Sequence, residues 1–208
     1  MAVALRWIVR AMSEVHHLYE KLAADFDKAR GRSLFERAYL LEVVSRLEPG
    51  ATILDLGCGG GEPIARFFVE QGFHVTGVDA APSLLDLCRQ RFAQMSWIEH
   101  DMRTLDVGRR FDAILAWNSF FHLHKDDQRA MFAVFEKHSA PSAPLLFTSG
   151  PADGEAIGSL CGHELYHASL DAAEYERLLA AHGFEVLIHR VEDPDCGGHT
   201  VWLARQRP

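Results

Sequence analysis

The segment from Asp55 to Gly61, with the sequence DLGCGGG, most constrains the fold of this chain. It continues a short β-branched and apolar run at residues 52–56, which is typical of a buried strand. A helix is predicted to follow at residues 63–71, with a proline in its first turn and Gly72 at its end. Glycines between a strand and a helix permit positive φ angles and let a ligand approach the backbone closely. The segment therefore predicts a strand-to-helix turn of an α/β protein, where such proteins bind ligands.

Strand-like and helix-like segments alternate along the rest of the chain. Strands are predicted at residues 52–56, 73–78, 96–99, 111–116, 145–148, 184–191 and 200–204. Helices are predicted at residues 34–47, 63–71, 82–92, 126–138 and 171–182. Such alternation implies right-handed crossovers and a mostly parallel sheet with helices on both faces. No helix separates the last two strands, so they form a hairpin. The sequence thus predicts a doubly wound, seven-stranded α/β sheet with one antiparallel closing strand.

The residues before the first strand are predicted to be a helical cap. Five apolar side chains recur at three- and four-residue steps, namely Val15, Leu18, Tyr19, Leu22 and Phe26. A polar stretch that contains glycine follows at residues 28–33 and is typical of a hinge. We therefore expect residues 15–32 to be a lid over the ligand. The chain is expected to be a single domain, with the cap at 1–48 and the α/β core at 49–208.

The composition excludes several classes of protein. The chain has 208 residues, of which 48% are hydrophobic, so it can bury a full core. Asp and Glu number 29 against 21 Lys and Arg, and the formal net charge of −8 argues against a nucleic-acid backbone as the main partner. No stretch approaches the roughly 18 to 20 apolar residues that a membrane span requires. We therefore expect neither a nucleic acid nor a membrane as partner.

The cysteines and the first residues bear on the cellular compartment. Four cysteines are present, but no CxxC pair, so neither a zinc ribbon nor a thioredoxin-type motif is present. A chain of this size does not need disulfides to be stable. The first residues lack the features of a secretory signal, and Met1 and Met12 are alternative start residues. We expect a cytoplasmic protein with reduced thiols, either a monomer or a homodimer.

Two acidic side chains follow the second and third predicted strands. Asp79 comes directly after the strand at 73–78, and Asp101 follows the strand at 96–99. The carboxyl ends of parallel strands meet at one edge of an open sheet, where ligands bind. A carboxylate about 20 residues after a glycine-rich turn is a position that binds ribose hydroxyls. The pattern therefore predicts a ligand that contains ribose.

The glycine pattern departs from those that bind phosphates. Counted from Gly57, the dinucleotide fingerprint GxGxxG requires a third glycine where this chain has Glu62. A glutamate at the start of a helix also repels the pyrophosphate that would lie there. The phosphate-binding loop GxxxxGK[ST] does not occur in the sequence. We therefore expect a cationic ligand with ribose and adenine but no phosphate, and we do not expect a nicotinamide dinucleotide.

Four motifs in a fixed order resemble those of the class I S-adenosylmethionine-dependent methyltransferases. They are residues 53–61, Val78-Asp79, Asp101-Met102 and residues 111–114. The resemblance runs from about residue 47 to the C-terminus and includes the seven-strand pattern with its closing hairpin. Within the class, the chain is similar to the small-molecule branch. The resemblance implies the Rossmann-like methyltransferase fold, with S-adenosylmethionine as cofactor and S-adenosylhomocysteine as product.

The resemblance also implies which residues contact the cofactor. The glycines would hold its methionine end, and Asp55 beneath them would help to position the ammonium group. Asp79 would bind the ribose hydroxyls, and Asp101 the adenine amino group. Trp117 and Asn118 depart from the Asn-Pro-Pro-aromatic sequence of relatives that methylate nucleic-acid bases or glutamine. The expected cofactor-binding set is Asp55, Gly57, Cys58, Gly59, Gly61, Asp79, Ala80, Asp101, Met102, Trp117 and Asn118.

Three residues are candidates for the chemistry. His122 follows the fourth strand and is the expected general base, although a structural histidine that bonds a backbone carbonyl is an equal alternative. Tyr166 and His167 lie in what is expected to be a loop over the cofactor, and we predict that they line the acceptor pocket. Asp193 and Asp195, between the last two strands, are expected to be turn residues.

Two alternatives remain open from the residues alone. A zinc site would need two cysteines and two histidines together, but the spacing of Cys161, His163, Cys196 and His199 is not that of a standard site, so no metal is expected. A non-catalytic module that binds S-adenosylmethionine would carry the same cofactor motifs. We expect instead an enzyme that methylates an O, N or S atom of a small molecule.

Overall fold

One seven-stranded sheet organises the protein, of which this computed structural model describes residues 15–208. Met12, one of the two alternative start residues, lies outside the described range. The strands are β1 Thr52–Leu56, β2 His74–Asp79, β3 Ser96–Glu99, β4 Ala113–Ala116, β5 Pro144–Ser149, β6 Gly154–Leu160, β7 His163–Ser169, β8 Phe184–Asp193 and β9 His199–Gln206. The order in the main sheet is β3-β2-β1-β4-β5-β9-β8, and β9 alone is antiparallel to its neighbours.

Helices cover both faces of this sheet. They are α1 Val15–Lys21, α2 Ala23–Ala29, α3 Arg37–Val44, α4 Ile64–Glu70, α5 Pro82–Arg91, α6 Lys125–His138 and α7 Ala172–Ala181. None of the helices within residues 15–208 is long and apolar enough to cross a membrane. The predicted seven-stranded, doubly wound sheet with an antiparallel closing strand is confirmed, and every predicted strand is present within three residues of its expected ends.

Side chains along each buried strand alternate between two apolar cores. On β1, Leu54 and Leu56 belong to the core that contains α6 and α7, whereas Ile53 belongs to the core that contains α3 and α4. This alternation follows from the two-residue period of a strand. Both faces of the strand are therefore apolar, as expected for a parallel sheet between two helix layers. Asp55 interrupts this apolar run two residues before Gly57, the first glycine of the turn.

The segment between β5 and α7 is a β-hairpin, so its prediction as a loop was wrong. Strands β6 and β7 pair antiparallel from Gly154 with Ser169 to Leu160 with His163. Cys161 and Gly162 connect them, and both have positive φ angles, 49° and 83°. Two such residues form the turn that suits the right-handed twist of a hairpin. The pair Cys161-Gly162 is the feature of the sequence that indicates this hairpin.

The first two helices are fastened to α5, beside the carboxyl edge of the sheet. The predicted helix at 15–26 is divided at Leu22 into α1 and α2. From α1, the Glu20 carboxylate accepts hydrogen bonds from the Ser83 backbone N–H at 2.9 Å and from its hydroxyl at 2.5 Å. From α2, Asp27 forms a bidentate ion pair with Arg91, with distances of 2.7 and 2.6 Å. These contacts hold the N-terminal helices against the edge where β1 and β2 end.

A buried polar network ties the hairpin to helix α6. Gln128 on α6 is fully buried, and its amide nitrogen donates to the carbonyl oxygens of Leu123 at 2.8 Å and Ala168 at 2.9 Å. Its amide oxygen accepts a hydrogen bond from the Tyr175 hydroxyl at 2.6 Å. Three groups from three separate elements therefore depend on one side chain for their hydrogen bonds.

Replacing Gln128 with leucine is expected to lower the free energy of unfolding by roughly 2 to 4 kcal/mol, because it leaves buried polar partners unpaired. Urea denaturation measures this loss. The matched control is Gln94→Leu, at an exposed position, which should change stability by less than about 0.5 kcal/mol. Equal effects of the two substitutions would contradict the role given to the network.

Candidate active site

A pocket opens at the carboxyl edge of the sheet, where β1, β2 and β4 end. Its empty space, open mouth included, is about 890 Å³. The N-terminal helices cover one side of it and the loop after β4 covers another. Its lining residues are Val15, His16, Tyr19, Phe26, Gly57, Gly59, Val78, Asp79, Ala80, Leu84, His100, Asp101, Met102, Arg103, Asn118, Ser119, His122, Leu123, His124 and Asp127.

The glycine-rich turn forms the floor of the pocket. Gly57 has a φ angle of +76°, and a Cβ atom built there would lie 2.3 Å from Cβ of Ser119. Ser119 in turn donates from its hydroxyl to the backbone oxygen of Leu56 at 2.6 Å. Glycine at this position is therefore required both by the backbone conformation and by the close approach of the loop after β4. The turn joins the ends of β1 and β4 into one wall.

Asp79 at the end of β2 faces the same turn. Its carboxylate accepts hydrogen bonds from the backbone N–H groups of Gly59 at 2.8 Å and Ala81 at 2.9 Å. Burial raises the pKa of Asp79, and these backbone hydrogen bonds oppose the rise. Each carboxylate oxygen retains a further lone pair, and the residue lines the pocket. Asp79 is thus both a structural acceptor for the turn and an acceptor available to a ligand.

Asp55 lies behind the turn and carries a buried carboxyl group. It is 4% exposed, and no hydrogen bond from residues 15–208 reaches its side chain. Burial raises the pKa of Asp55 to about 7, and the nearby charge of Asp79 adds to the rise. Asp55 does not itself line the pocket. An unpaired carboxyl group at this position favours a cation on the pocket side of the turn through its charge.

Asp101 lines the pocket but is engaged by a neighbouring arginine. Its carboxylate accepts from the Arg103 backbone N–H at 2.9 Å and from the Arg103 guanidinium, which also bonds Asp127 at 2.9 Å. Burial pushes the pKa of Asp101 upward, but the hydrogen bonds from Arg103 outweigh it and the net pKa is lowered. Asp101 therefore remains an ionised acceptor, beside Met102, at the end of the pocket next to β3.

Asn118 lines the pocket in an unusual backbone conformation. Its φ angle is 50°, in the left-handed region that non-glycine residues rarely adopt. The conformation is held by Thr148 on β5, whose hydroxyl accepts from the Asn118 N–H at 2.9 Å and donates to its side-chain oxygen at 3.3 Å. Strain of this kind is found at ligand-binding sites.

His122 lies between the N-terminal helices and the hairpin. Its Nδ1 is 2.9 Å from the backbone oxygen of Tyr166, and its Nε2 is 3.1 Å from the hydroxyl of Tyr19. Burial lowers the pKa of His122 to about 4 and outweighs the opposing hydrogen bond to Tyr166. The imidazole is therefore neutral around pH 7, and it faces the pocket. His122 thus lines the pocket and also bonds a backbone carbonyl, as the structural alternative foresaw, and its role as a general base stays a prediction.

Tyr166 and His167 lie beside His122 and are not among the residues that line this pocket, and their predicted role in binding the acceptor stays a prediction. Tyr166 contacts His122 through its backbone oxygen, and burial raises the pKa of its own hydroxyl to about 12. The ring of His167 is 4.8 Å from the ring of His122 and 5.2 Å from that of Phe121. Tyr166 and His167 are adjacent on β7, so their side chains point to opposite faces of the hairpin.

Four residues of the predicted cofactor-binding set do not line the pocket, namely Asp55, Cys58, Gly61 and Trp117. Cys58 packs with Leu85 and Cys88 under the turn. Trp117 is 4% exposed and lies in the core on the α3 and α4 face, where it stacks on His199 at 5.8 Å. The strand period explains the last error, since Asn118 and Trp117 point to opposite sides as β4 ends.

Tyr19 and Phe26 belong to the predicted lid over the ligand, and both line the pocket. They contact each other edge to face at 5.0 Å, and the ring of Phe26 lies 3.4 Å from where a Cβ on Gly59 would be. Both were identified as members of an apolar helix face. The polar group that this face also carries, the Tyr19 hydroxyl, was the signal for a role beyond packing.

The remaining polar residues of the last hairpin are structural. Asp193 accepts hydrogen bonds from the Tyr39 hydroxyl and from the Asp195 backbone N–H, which agrees with the predicted turn role. Among residues 15–208, no group of three or more histidine, cysteine or acidic side chains is arranged to hold a metal ion. Cys161 is exposed at the tip of the hairpin whereas Cys196 is buried.

Part of the chain is similar to a known protein family. Residues 53–142 match the family described as methyltransferase domain. An O-methyltransferase from Pyrenophora dematioidea is 28% identical over 177 residues, which are 76% of this chain and 65% of that protein. A malonyl-acyl-carrier-protein O-methyltransferase from Serratia marcescens is 27% identical over 181 residues, 81% of this chain and 69% of that protein. The chain thus spans about two thirds of the length of these relatives.

A solved structure with the same fold carries both ligands of its reaction. It is the 1,6-didemethyltoxoflavin-N1-methyltransferase of Burkholderia thailandensis, with bound 1,6-didemethyltoxoflavin and S-adenosylhomocysteine. The TM-score is 0.67 at 23% identity, over 93% of this chain and 91% of that chain.

Replacing Asp55 with asparagine is expected to stabilise the ligand-free protein at pH 8. A raised folded-state pKa means that stability is full below the unfolded pKa near 4 and is lost as pH rises through about 7. Removing the ionisable group should therefore add on the order of 2 to 4 kcal/mol at pH 8 and less than half of that at pH 5. Urea unfolding at both pH values measures this, with the exposed Asp86→Asn as control. The same gain in stability at both pH values would contradict a raised pKa for Asp55.

Proposed function

We propose that this chain, whose residues 53–142 match the methyltransferase domain family, is an S-adenosylmethionine-dependent enzyme that transfers a methyl group to an O, N or S atom of a small molecule. The observation that carries the proposal is a single pocket lined by Gly57, Asp79 and Asn118 on one side and by His122 on the other. The pocket therefore holds a nucleoside-binding edge and a basic side chain together.

The residues at the sheet edge suit S-adenosylmethionine, which supplies a methyl group on a positively charged sulfur. Gly57 and Gly59 would hold the methionine end through the backbone, and Asp79 would accept from the ribose hydroxyls. Asp101 and Met102 would border the adenine at the β3 end. The carboxyl group of Asp55, although outside the lining, would favour the cationic ligand because its charge has no partner within residues 15–208.

The N-terminal helices would keep water out of the pocket. Val15, His16, Tyr19 and Phe26 form the wall opposite the sheet edge. In a methyl transfer, the acceptor atom and the methyl carbon must meet in line, and alignment of two reactants contributes about 7 to 11 kcal/mol. A closed wall keeps water from competing with the acceptor. The work of the protein is thus mainly to orient the reactants and to exclude water.

His122 is the group we assign to the proton of the acceptor. Its Nδ1 proton is fixed by the Tyr166 carbonyl, so Nε2 is the basic atom and faces the pocket wall. A general base contributes typically about 10²- to 10⁴-fold to rate. The second candidate function is a module that binds the cofactor without catalysis. Such a module does not require a neutral imidazole held in this tautomer.

The experiment that separates the two functions is a release assay. Purified protein is incubated with S-adenosylmethionine and a library of small hydroxyl, amine and thiol compounds, and S-adenosylhomocysteine is quantified. Release that depends on one compound class supports the enzyme. Tight binding of S-adenosylmethionine without release above the compound-free rate, across the whole library, supports the binding module.

Replacing Asp79 with alanine is expected to weaken S-adenosylhomocysteine binding by about 1.5 to 3 kcal/mol, because a charge-assisted contact to the ribose is lost. Titration calorimetry measures the change. The ligand-free protein should also melt at a lower temperature, since the Gly59 and Ala81 N–H groups lose their acceptor. Asp86→Ala, an exposed position on α5, is the control and should bind normally. Normal binding by Asp79→Ala would show that the ribose lies elsewhere.

Hydrogen exchange tests whether α1 and α2 act as a lid. If they open in the ligand-free protein, amides of residues 18–26 should exchange quickly and should slow when S-adenosylhomocysteine is added, because the ligand adds contact area beneath them. The amides of β1 and β4 should change little. Strong and equal protection of residues 18–26 in both states would identify a permanent part of the fold.

A further inference from the structure

The contact between Tyr19 and His122 joins two walls of the pocket. Tyr19 is on α1, and His122 is in the loop after β4. The Tyr19 hydroxyl is 3.1 Å from Nε2 of His122, and both side chains line the pocket. On its other side, the imidazole is held at 2.9 Å by the Tyr166 carbonyl of the hairpin.

The partners fix the direction of both hydrogen bonds. A carbonyl oxygen only accepts, so Nδ1 of His122 carries the proton that it donates to Tyr166. A neutral imidazole has one N–H, and Nε2 is therefore an acceptor that takes the proton of the Tyr19 hydroxyl. The pKa shifts agree with this, because burial lowers that of His122 and raises that of Tyr19. Both groups are thus neutral around pH 7.

This arrangement leaves no free lone pair on the imidazole. Nε2 is covered by Tyr19 and Nδ1 is protonated, so an acceptor in the pocket has no direct access to His122 as a base. The Tyr19 oxygen still has lone pairs and lies on the pocket wall. A proton that leaves the acceptor reaches His122 through the tyrosine hydroxyl.

We propose that Tyr19 is a further catalytic residue, which relays the acceptor's proton to His122 during methyl transfer; this rests on the proposed function. The new bond joins the acceptor atom to the methyl carbon, and the bond between that carbon and the sulfonium breaks, its electron pair remaining on sulfur. The proton of the acceptor passes to the Tyr19 oxygen, and the proton of Tyr19 passes to Nε2. The resulting imidazolium is stabilised through Nδ1 by the Tyr166 carbonyl.

The relay defines the chemistry of the acceptor. The acceptor atom must carry a hydrogen, which excludes tertiary amines and thioethers. A hydroxyl fits best, because methylation of a hydroxyl oxygen makes its proton strongly acidic, whereas a methylated aliphatic ammonium holds its proton too tightly for a weakly basic imidazole. The acceptor class that we assign is therefore a small molecule with a reactive hydroxyl group.

The relay also depends on the seating of α1. Glu20, the next residue after Tyr19, bonds the backbone N–H and hydroxyl of Ser83 at the start of α5. Tyr19 reaches His122 while this contact holds the helix against the sheet edge.

Several charged or titratable groups surround the pair and bear on its pH dependence. His167 on β7 faces His122, and burial lowers its own pKa. The charge of Asp79 raises the pKa of Tyr19, whereas that of Arg30, just beyond α2, lowers it. The thiol of Cys161 at the hairpin tip adds a small upward contribution. None of these groups shares a hydrogen bond with Nε2 among residues 15–208.

The hydrogen bond is tested without any acceptor, by NMR of protein labelled with ¹⁵N at histidine and saturated with S-adenosylhomocysteine. We expect the Nδ1-protonated tautomer for His122, titrating near pH 4. In Tyr19→Phe the donor to the neutral form is lost, so the pKa of His122 should rise by about one pH unit. An unchanged pKa, or the opposite tautomer in the wild type, would overturn the proposal whatever the turnover data show.

The relay itself is tested by the kinetics of the same variant, with the acceptor found in the release assay. Tyr19→Phe should lower kcat roughly 100-fold, leave KM for S-adenosylmethionine within about twofold, and shift the acidic limb of the pH profile. The control, Tyr39→Phe, removes a tyrosine hydroxyl outside the pocket lining and should retain kcat. An unchanged kcat in Tyr19→Phe, or an acceptor without a hydrogen on the methylated atom, would overturn the relay. No release with any compound would contradict the proposed function and leave the NMR result standing.

Discussion

Two carboxyl groups without a cation, at the ends of β1 and β2, set the conditions for the rest of the site. Asp55 is buried and Asp79 is half-buried, and neither forms an ion pair with any of residues 15–208. Burial of an ionised acidic group without a partner is unfavourable. It therefore raises the pKa values of both residues. The glycine-rich turn reduces the cost at Asp79 alone, through the N–H of Gly59. The site therefore retains a preference for a positively charged ligand that the fold itself does not satisfy.

The elements that surround this edge meet at His122. Helix α1 reaches its Nε2 through Tyr19, and the β6–β7 hairpin reaches its Nδ1 through the backbone of Tyr166. The hairpin is in turn tied to α6 by Gln128, which bonds the carbonyl of Ala168. Neither the helix nor the hairpin belongs to the seven-stranded sheet. The sheet supplies the edge that we propose binds the nucleoside, whereas the added elements hold the imidazole that faces it.

The sheet and its edge were predictable from the sequence because they depend on local patterns. Apolar runs that end in glycine or aspartate indicated where the strands lie along the chain, and the topology of parallel strands then brings Asp79 and Asp101 to one edge. What failed depends on the face to which a side chain points. Trp117 lies in the core and Asn118 in the pocket, although they are adjacent, and a positive φ angle at Asn118 decides this. Such an angle has no reliable signal in a residue other than glycine.

Burial shifts the pKa values of the acids and of the base at this site in opposite directions. Desolvation penalises whichever form is charged, so it raises the pKa of Asp55 and Tyr19 and lowers that of His122. The pKa values of all three groups are thus shifted toward the neutral form while no cation is bound. A bound cation changes this balance, since it favours the ionised form of Asp55 and disfavours a proton on His122. Binding of a positively charged cofactor would therefore both satisfy the buried acid and keep the imidazole in the form that accepts a proton.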